Sequence, residues 1–252
     1  MDDIVIVDAP NVEDELEKLA SRYRDASGIG VKALTMLGGK AEGLLDRLPE
    51  EIRSRLDGAT ELALRTAMQT AQGSRKVLPD QAEWVNTAAT TAMGAAGGFG
   101  GLPAAFVELP ATTAMLLRSI QGVATQYGFD PAAENVQFDC IRVFAASGPL
   151  AVDDGADLAF ISLRLTLSGG AMQKLIASVA PRLAAVLGQK LAAQTVPVLG
   201  AVAGASINLI YAQYYQQIAH VHFGLRRLAI DADVPMDTLV KRLEIKMNKR
   251  LT

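Results

Sequence analysis

Residues 84–107, WVNTAATTAMGAAGGFGGLPAAFV, decide the fold: the stretch has no charged side chain and consists largely of alanine, glycine and threonine. A second uncharged stretch of the same character, LAAQTVPVLGAVAGASINLIYAQYYQQIA, covers residues 191–219. Small residues recur at four-residue spacing in both, for example Gly94 with Gly98, and this spacing lets two helix backbones approach closely. We therefore predict that the two stretches are long helical segments packed at the centre of the fold.

Either stretch is long enough to cross a membrane, since about 20 helical residues span a hydrocarbon core of about 30 Å. Their composition argues against membrane insertion. Large aliphatic side chains are few in the first stretch, and Asn86, Pro197 and Asn208 make insertion less favourable. These features favour helices buried inside the protein. An integral membrane hairpin stays open as an alternative.

The composition favours close-packed helices over sheets. Half of the residues are apolar, only 5% are aromatic, and the chain contains 22 glycines. Residues 158–168 alternate like a strand and also fit a helix, and we favour a helix because no second strand candidate is present. We predict an all-α fold, a single multi-helix domain of about eight or nine helices around the two uncharged segments.

Charge and cysteine content exclude several classes of protein. The net charge is −3, and no basic stripe with interleaved aromatic residues is present, so no nucleic-acid partner is predicted. Cys140 is the single cysteine, which excludes an intrachain disulfide. The first residues, MDDIVIVDAP, lack the positive flank and apolar core of a secretory signal. We expect a cytoplasmic location, either free or peripheral at the inner membrane.

The chain divides into three parts. Residues 1–79 are expected to form N-terminal helices that pack on the core, and residues 80–230 to form the helical core itself. Residues 231–252 are expected to form a basic amphipathic helix.

Local signals place the ends of individual helices. Asn11 is expected to cap the first helix, which should stop near Gly28. Pro110 is expected to open another helix, which should end at Gly128.

Three segments of the core carry a family resemblance. They are LPATTAMLLRSIQGVATQYGFDP at residues 109–131, VPVLGAVAGASINLIYAQ at residues 196–213 and HVHFGLRRL at residues 220–228. Together they resemble the EcsC family over about residues 80–230. The resemblance implies an all-α bacterial cytoplasmic protein, in a family named for a member associated with an ABC transporter system. It implies no established catalytic residues.

No motif predicts catalysis, a cofactor or a metal. The glycine cluster at residues 94–101 lacks the lysine and the serine or threonine that follow in a phosphate-binding loop. The two histidines, His220 and His222, point to opposite sides of a helix and cannot share a metal there. A hydrolase with an unrecognised site stays open as an alternative, and it would require Glu108 or a histidine to converge with a nucleophile in a cleft.

Polar groups inside the apolar segments are the candidate ligand-binding residues. A charge buried without a partner is costly, so Glu108 and Arg118 should pair with each other or reach water. One interpretation is an ion pair that holds the central segments together. The other is an apolar pocket for a lipid or similar ligand, with the arginine facing an anionic head group. The candidates are Glu108, Arg118, Asn208, Tyr211 and Tyr215.

The C-terminal helix carries a cluster of basic residues that could dock on anionic lipid. An ordinary surface helix is the alternative. If this helix docks on a membrane, the sequence favours a non-enzymatic, membrane-associated accessory protein of the EcsC type. Such a protein would be linked to membrane transport or secretion, with the inner membrane surface or a membrane protein as its partner. The basic residues are Lys241, Arg242, Lys246, Lys249 and Arg250.

Overall fold

The computed structural model describes residues 11–36, 43–75, 83–99, 101–146, 148–149, 170–194 and 201–248. These residues form ten α-helices and one 3-10 helix and include no strand, which confirms the predicted all-α domain. The ambiguous segment 158–168 lies outside them. The elements are α1 (Val12–Met36), the 3-10 helix (Leu45–Arg47), α2 (Glu50–Arg53), α3 (Leu56–Arg75), α4 (Glu83–Phe99), α5 (Gly101–Val107), α6 (Leu109–Gln126), α7 (Glu134–Val143), α8 (Ala171–Gln194), α9 (Ala201–Asp231) and α10 (Met236–Asn248).

Helix α1 begins where the sequence predicts and ends later. The side chain of Asn11 caps it by accepting a hydrogen bond from the backbone N–H of Glu13 at 3.1 Å. The predicted stop near Gly28 is wrong, because α1 continues to Met36. A glycine within a helix costs only about 1 kcal/mol relative to alanine. Packing of α1 along α9 offsets this cost.

Helices α1 and α9 approach each other closely at Gly224. A Cβ atom at this position would lie 2.5 Å from Cδ2 of Leu19, so a larger residue would force Leu19 to move. Leu19 is buried together with Leu16 and Ala20, which follow the helical period on the same face of α1. This contact fixes α1 beside α9, where the two helices line a pocket described below.

The two uncharged stretches are helical, but each extends over two helices. Residues 84–107 are shared between α4 and α5, with residue 100 outside the described part of the chain. Residues 191–219 are shared between the end of α8 and α9, with residues 195–200 outside it. Helices α4 and α9 pack against each other more extensively than any other described pair.

Helix α6 begins and ends as predicted. Pro110 lies in its first turn, where a missing backbone N–H has no helical partner to lose. Gly128 closes the helix with a φ of +77°, and the N–H of Phe129 donates to the carbonyl oxygen of Ala124 at 3.0 Å. Helix α6 packs against α3, α4 and α9.

The C-terminal helix α10 packs on α1. Leu239 and Leu243 are buried in this contact region. Glu13 on α1 accepts hydrogen bonds from Arg242 and from Nζ of Lys246, the latter at 2.6 Å. The bonds from Lys246 and Arg242 lower the pKa of Glu13 to about 2. An ion-pair cluster therefore accompanies the apolar packing of α10.

One described helix is long and apolar enough to cross a membrane by length and composition alone. The segment is Ala171–Ala193 of α8, with a mean hydropathy of 1.2. Its most apolar window is 67% buried inside the protein, and Leu175, Leu183 and Leu187 belong to the hydrophobic core. A core helix meets the same length and composition criteria.

Candidate functional site

A groove of about 910 Å³ runs between α4 and α9. Volumes of about 300–1,000 Å³ are typical of small-molecule sites. The α4 wall uses small side chains one helical turn apart, and the α9 wall has positions spaced by three or four residues. The described residues that line the groove are Thr87, Ala88, Thr91, Ala92, Ala95, Gln126, Ala205, Leu209, Gln213 and Gln216.

A buried polar cluster ties the two walls together beneath the groove. Nδ2 of Asn208 on α9 donates to the carbonyl oxygen of Thr90 on α4 at 2.8 Å and to Oε1 of Glu108 at 3.1 Å. Oγ1 of Thr112 also donates to Oε1 of Glu108, at 2.7 Å. Thr90 and Asn208 are buried, whereas their chain neighbours Thr91 and Leu209 line the groove. The cluster therefore lies next to the groove, on the buried side of α4 and α9.

Lys190 on α8 supplies the positive charge of this cluster. The residue is fully buried, and its Nζ lies 4.0 Å from Oε1 of Glu108. Burial lowers the pKa of Lys190 to about 8, although the charge of Glu108 opposes the shift. Among the described residues, Nζ of Lys190, Oε2 of Glu108 and Oδ1 of Asn208 have no hydrogen-bond partner. The cluster thus holds opposite charges in a buried place and leaves several polar atoms unsatisfied.

Gln216 forms a second tie between the walls. Its Nε2 donates to Oγ1 of Thr87 on α4 at 2.9 Å and to Oγ of Ser119 on α6 at 2.8 Å. Gln216 also lines the groove. Its two bonds hold α4, α6 and α9 in a fixed relation at this end of the groove.

A second, polar pocket of about 470 Å³ lies between α1 and α9. It shares Gln213 and Gln216 with the groove, so the two cavities meet at these amides. The remaining lining residues include charged side chains and a glycine. They are Arg24, Asp25, Gly28, Ile29, Lys32 and Gln217.

The structure brings two of the five predicted ligand-binding residues together, Glu108 and Asn208. Arg118 on α6 is buried, with 7% of its surface exposed. The hydroxyl of Tyr211 donates to the carbonyl oxygen of Val186 at 3.0 Å. Tyr215 is also buried in the core.

None of the five is among the described residues that line the groove. Their role in binding stays a prediction.

The histidines lie in a different part of the molecule. Nδ1 of His220 is 3.3 Å from the hydroxyl of Tyr127, and Nε2 of His222 is 3.3 Å from Oδ1 of Asp139. Burial raises the pKa of Asp139, but a hydrogen bond from His222 and the charges of His222, Arg226 and Arg142 outweigh it, so the net pKa is lowered. This cluster stabilises an ionised Asp139 within the bundle.

The Glu108 cluster and the His222 cluster would have to lie close together to form one hydrolase active site. Asn208 and His222 both lie on α9, so at about 1.5 Å per residue they are roughly 20 Å apart along its axis. Glu108 accepts a hydrogen bond from Asn208, and Nε2 of His222 lies 3.3 Å from Oδ1 of Asp139. This geometry argues against one catalytic site that contains both. Within the described ranges, no group of three or more histidine, cysteine, aspartate or glutamate residues is placed to hold a metal ion.

The predicted membrane-surface residues are in three situations. Arg242 and Lys246 bond to Glu13 on α1, and Lys241 is exposed. Lys249 and Arg250 lie outside the described residues. Docking on lipid stays a prediction for this helix.

Sequence reasoning missed Lys190 and the groove residues. Lys190 is the charge that immediately precedes the uncharged stretch 191–219, and that position was a usable signal in the sequence. The groove residues also carry a signal in the sequence, because Ala205, Leu209 and Gln213 are spaced by four residues and share one helix face. Alanine at such spacing also indicates ordinary close packing, so the pattern alone does not predict a groove.

Comparison with known proteins gives one match. A sequence model of the EcsC protein family matches residues 33–228, which is most of the chain and includes the groove and the buried cluster. The matched region begins well before residue 80, where the resemblance in the sequence becomes visible. No curated protein and no solved structure matches the chain.

Proposed function

The chain belongs to the EcsC family, and we propose that it is a non-enzymatic accessory protein that holds a lipid or other apolar ligand between α4 and α9. It would act at the inner membrane surface, in membrane transport or secretion. The groove between the two helices is the observation that carries the proposal, because its volume and its small apolar side chains suit a hydrocarbon chain.

The energetics of such a site favour an aliphatic chain. Each buried methylene contributes about 0.8 kcal/mol, so ten of them would supply roughly 8 kcal/mol before the cost of association is subtracted. The alanine side chains in both walls leave room for the chain, and the bonds made by Asn208 and Gln216 hold the walls in place. A preformed groove needs less ordering on binding.

A groove-filling variant tests the proposal. Ala92 is an exposed residue in the α4 wall, so Ala92→Trp should occupy the space intended for the ligand. Ala185 on α8 is also exposed and is not among the groove residues, so Ala185→Trp is the matched control. Circular dichroism would confirm that both variants fold.

The measurement is native mass spectrometry and lipid extraction on protein purified without detergent. The wild type and Ala185→Trp should carry a stoichiometric lipid, and Ala92→Trp should carry much less. Equal lipid content in all three proteins would overturn the groove as the site. Absence of any bound lipid from the wild type would overturn the proposal itself.

Membrane association is the second part of the proposal. Lys241 and Ile245 are exposed on α10, a cation beside an apolar side chain that can enter the interface of an anionic membrane. Lys241→Glu should reduce cosedimentation with vesicles that contain phosphatidylglycerol, whereas Lys174→Glu, on exposed α8 surface, should not. Unchanged sedimentation of both variants would remove α10 from the mechanism.

A further inference from the structure

The polar pocket adjoins the apolar groove at the side-chain amides of two glutamines on α9. Gln213 and Gln216 belong to both cavities, so a molecule lying along α9 could occupy the two together. The groove side presents alanine, threonine and leucine, and the α1 side presents charged groups. A cleft with one apolar half and one polar half matches an amphiphile better than a purely apolar molecule.

The α1 wall of the polar pocket is open between two cations. Arg24, Gly28 and Lys32 are spaced by four residues and therefore share one face of the helix. Nothing lies within 4 Å of the position that a Cβ atom on Gly28 would take. The two cations thus flank a gap in which no side chain of α1 obstructs a head group.

The charges of this wall favour an anion. Asp25 is the one carboxylate among the described lining residues, against the cations Arg24 and Lys32. Glu17 holds Nη2 of Arg24 at 3.0 Å. Nη1 of Arg24 is buried and has no hydrogen-bond partner in the described part of the chain, so the guanidinium keeps an unsatisfied donor beside the pocket. A bond from arginine to a carboxylate or phosphate is charge-assisted and stronger than a neutral one.

We propose that the ligand is an anionic lipid, with its acyl chain between α4 and α9 and its charged head group over Gly28, between Arg24 and Lys32. This inference rests on the proposed function and adds the chemistry of the head group. The cations that select the ligand are then on α1, whereas Arg118, for which the sequence suggested this role, is buried on α6.

Two lipids that differ only in head group separate this inference from the proposed function. We would compare palmitoyl lysophosphatidylglycerol, which is anionic, with palmitoyl lysophosphatidylcholine, which is zwitterionic, below their micelle concentrations by isothermal titration calorimetry. The wild-type protein should bind the anionic lipid about tenfold more tightly, which corresponds to about 1.4 kcal/mol. Equal affinities would overturn the head-group inference and leave the groove intact, and binding of neither lipid would overturn both proposals.

Variants on α1 identify the cations. Lys32→Gln and Arg24→Gln should each reduce the preference for the anionic lipid severalfold. Lys18→Gln, an exposed lysine on the same helix that pairs with Glu15, is the matched control and should retain the preference. Lys32 is exposed, so its replacement does not endanger folding. An undiminished preference in Lys32→Gln and Arg24→Gln would overturn the assignment.

Discussion

Raising the pH should stabilise this protein through Lys190, and Lys190→Met should abolish the effect. Lys190 is fully buried, and its only charged neighbour in the described structure is Glu108, 4.0 Å away. Burial disfavours the charged ammonium and lowers the pKa from 10.5 to about 8, although the charge of Glu108 opposes the change. The folded protein therefore carries a cost whenever Lys190 is protonated.

The sign and size of the effect follow from proton linkage. Between the folded and unfolded pKa values the unfolded chain binds more protons, so the free energy of unfolding rises with pH and the cost is complete below the folded pKa. At about 1.36 kcal/mol per pKa unit, the whole effect is about 3 kcal/mol. About 2 kcal/mol of it should appear between about pH 7 and pH 9.5.

Urea denaturation across this range measures the effect, with the wild type compared to Lys190→Met at each pH. The range ends below pH 10 because Tyr211 and Tyr215 have pKa values raised by burial, and ionisation of unfolded tyrosine above that pH would lower stability. Lys174→Met, at an exposed position on the same helix, is the control and should behave as wild type. Parallel curves for the wild type and Lys190→Met would refute the reasoning.

The partner residue provides a second test of the same cluster. Glu108→Gln keeps the shape of the side chain but leaves Lys190 as a buried charge without a carboxylate, which should destabilise the protein by about 3–5 kcal/mol at neutral pH. The double variant Glu108→Gln with Lys190→Met removes both charges and should recover most of this loss. Simple addition of the two single effects would show that the residues do not interact.

Two further predictions concern buried hydroxyls and the α1–α10 contact. Tyr211→Phe should destabilise the protein by about 1–2 kcal/mol in urea because it removes a buried hydrogen bond. Tyr215→Phe should be neutral or stabilising, because that hydroxyl has no hydrogen-bond partner among the described residues. If both variants lost the same free energy of unfolding, the different roles given to the two hydroxyls would be contradicted. The contribution of ionised Glu13, whose pKa is lowered to about 2, is complete above the unfolded value of 4.5 and fades as the pH falls towards 2. Hydrogen exchange should show α10 losing protection over that range in the wild type, whereas Glu13→Gln should be less protected at neutral pH and show no such change.

The starts of α1 and α6 could be predicted from local signals. Asn11 caps α1 and Pro110 opens α6 as expected, because a cap and a first-turn proline act within one helical turn. The stop at Gly28 failed because a single glycine is a weak signal that packing against α9 overrides. Gly128, by contrast, ends α6 as predicted because its backbone takes a positive φ that closes the helix.

The sequence by itself determined an all-helical fold and the family, and it indicated close packing of the two uncharged stretches, since these depend on composition, local motifs and small-residue spacing. Only the tertiary structure decided which polar groups meet. Asn208 and Glu108 are 100 residues apart in the chain, and the charge that faces Glu108 is Lys190 on a third helix. Helical period specifies the face on which a side chain lies, but not which helix covers that face. For the same reason the groove, which exists only between two packed helices, could not be located before their packing was known.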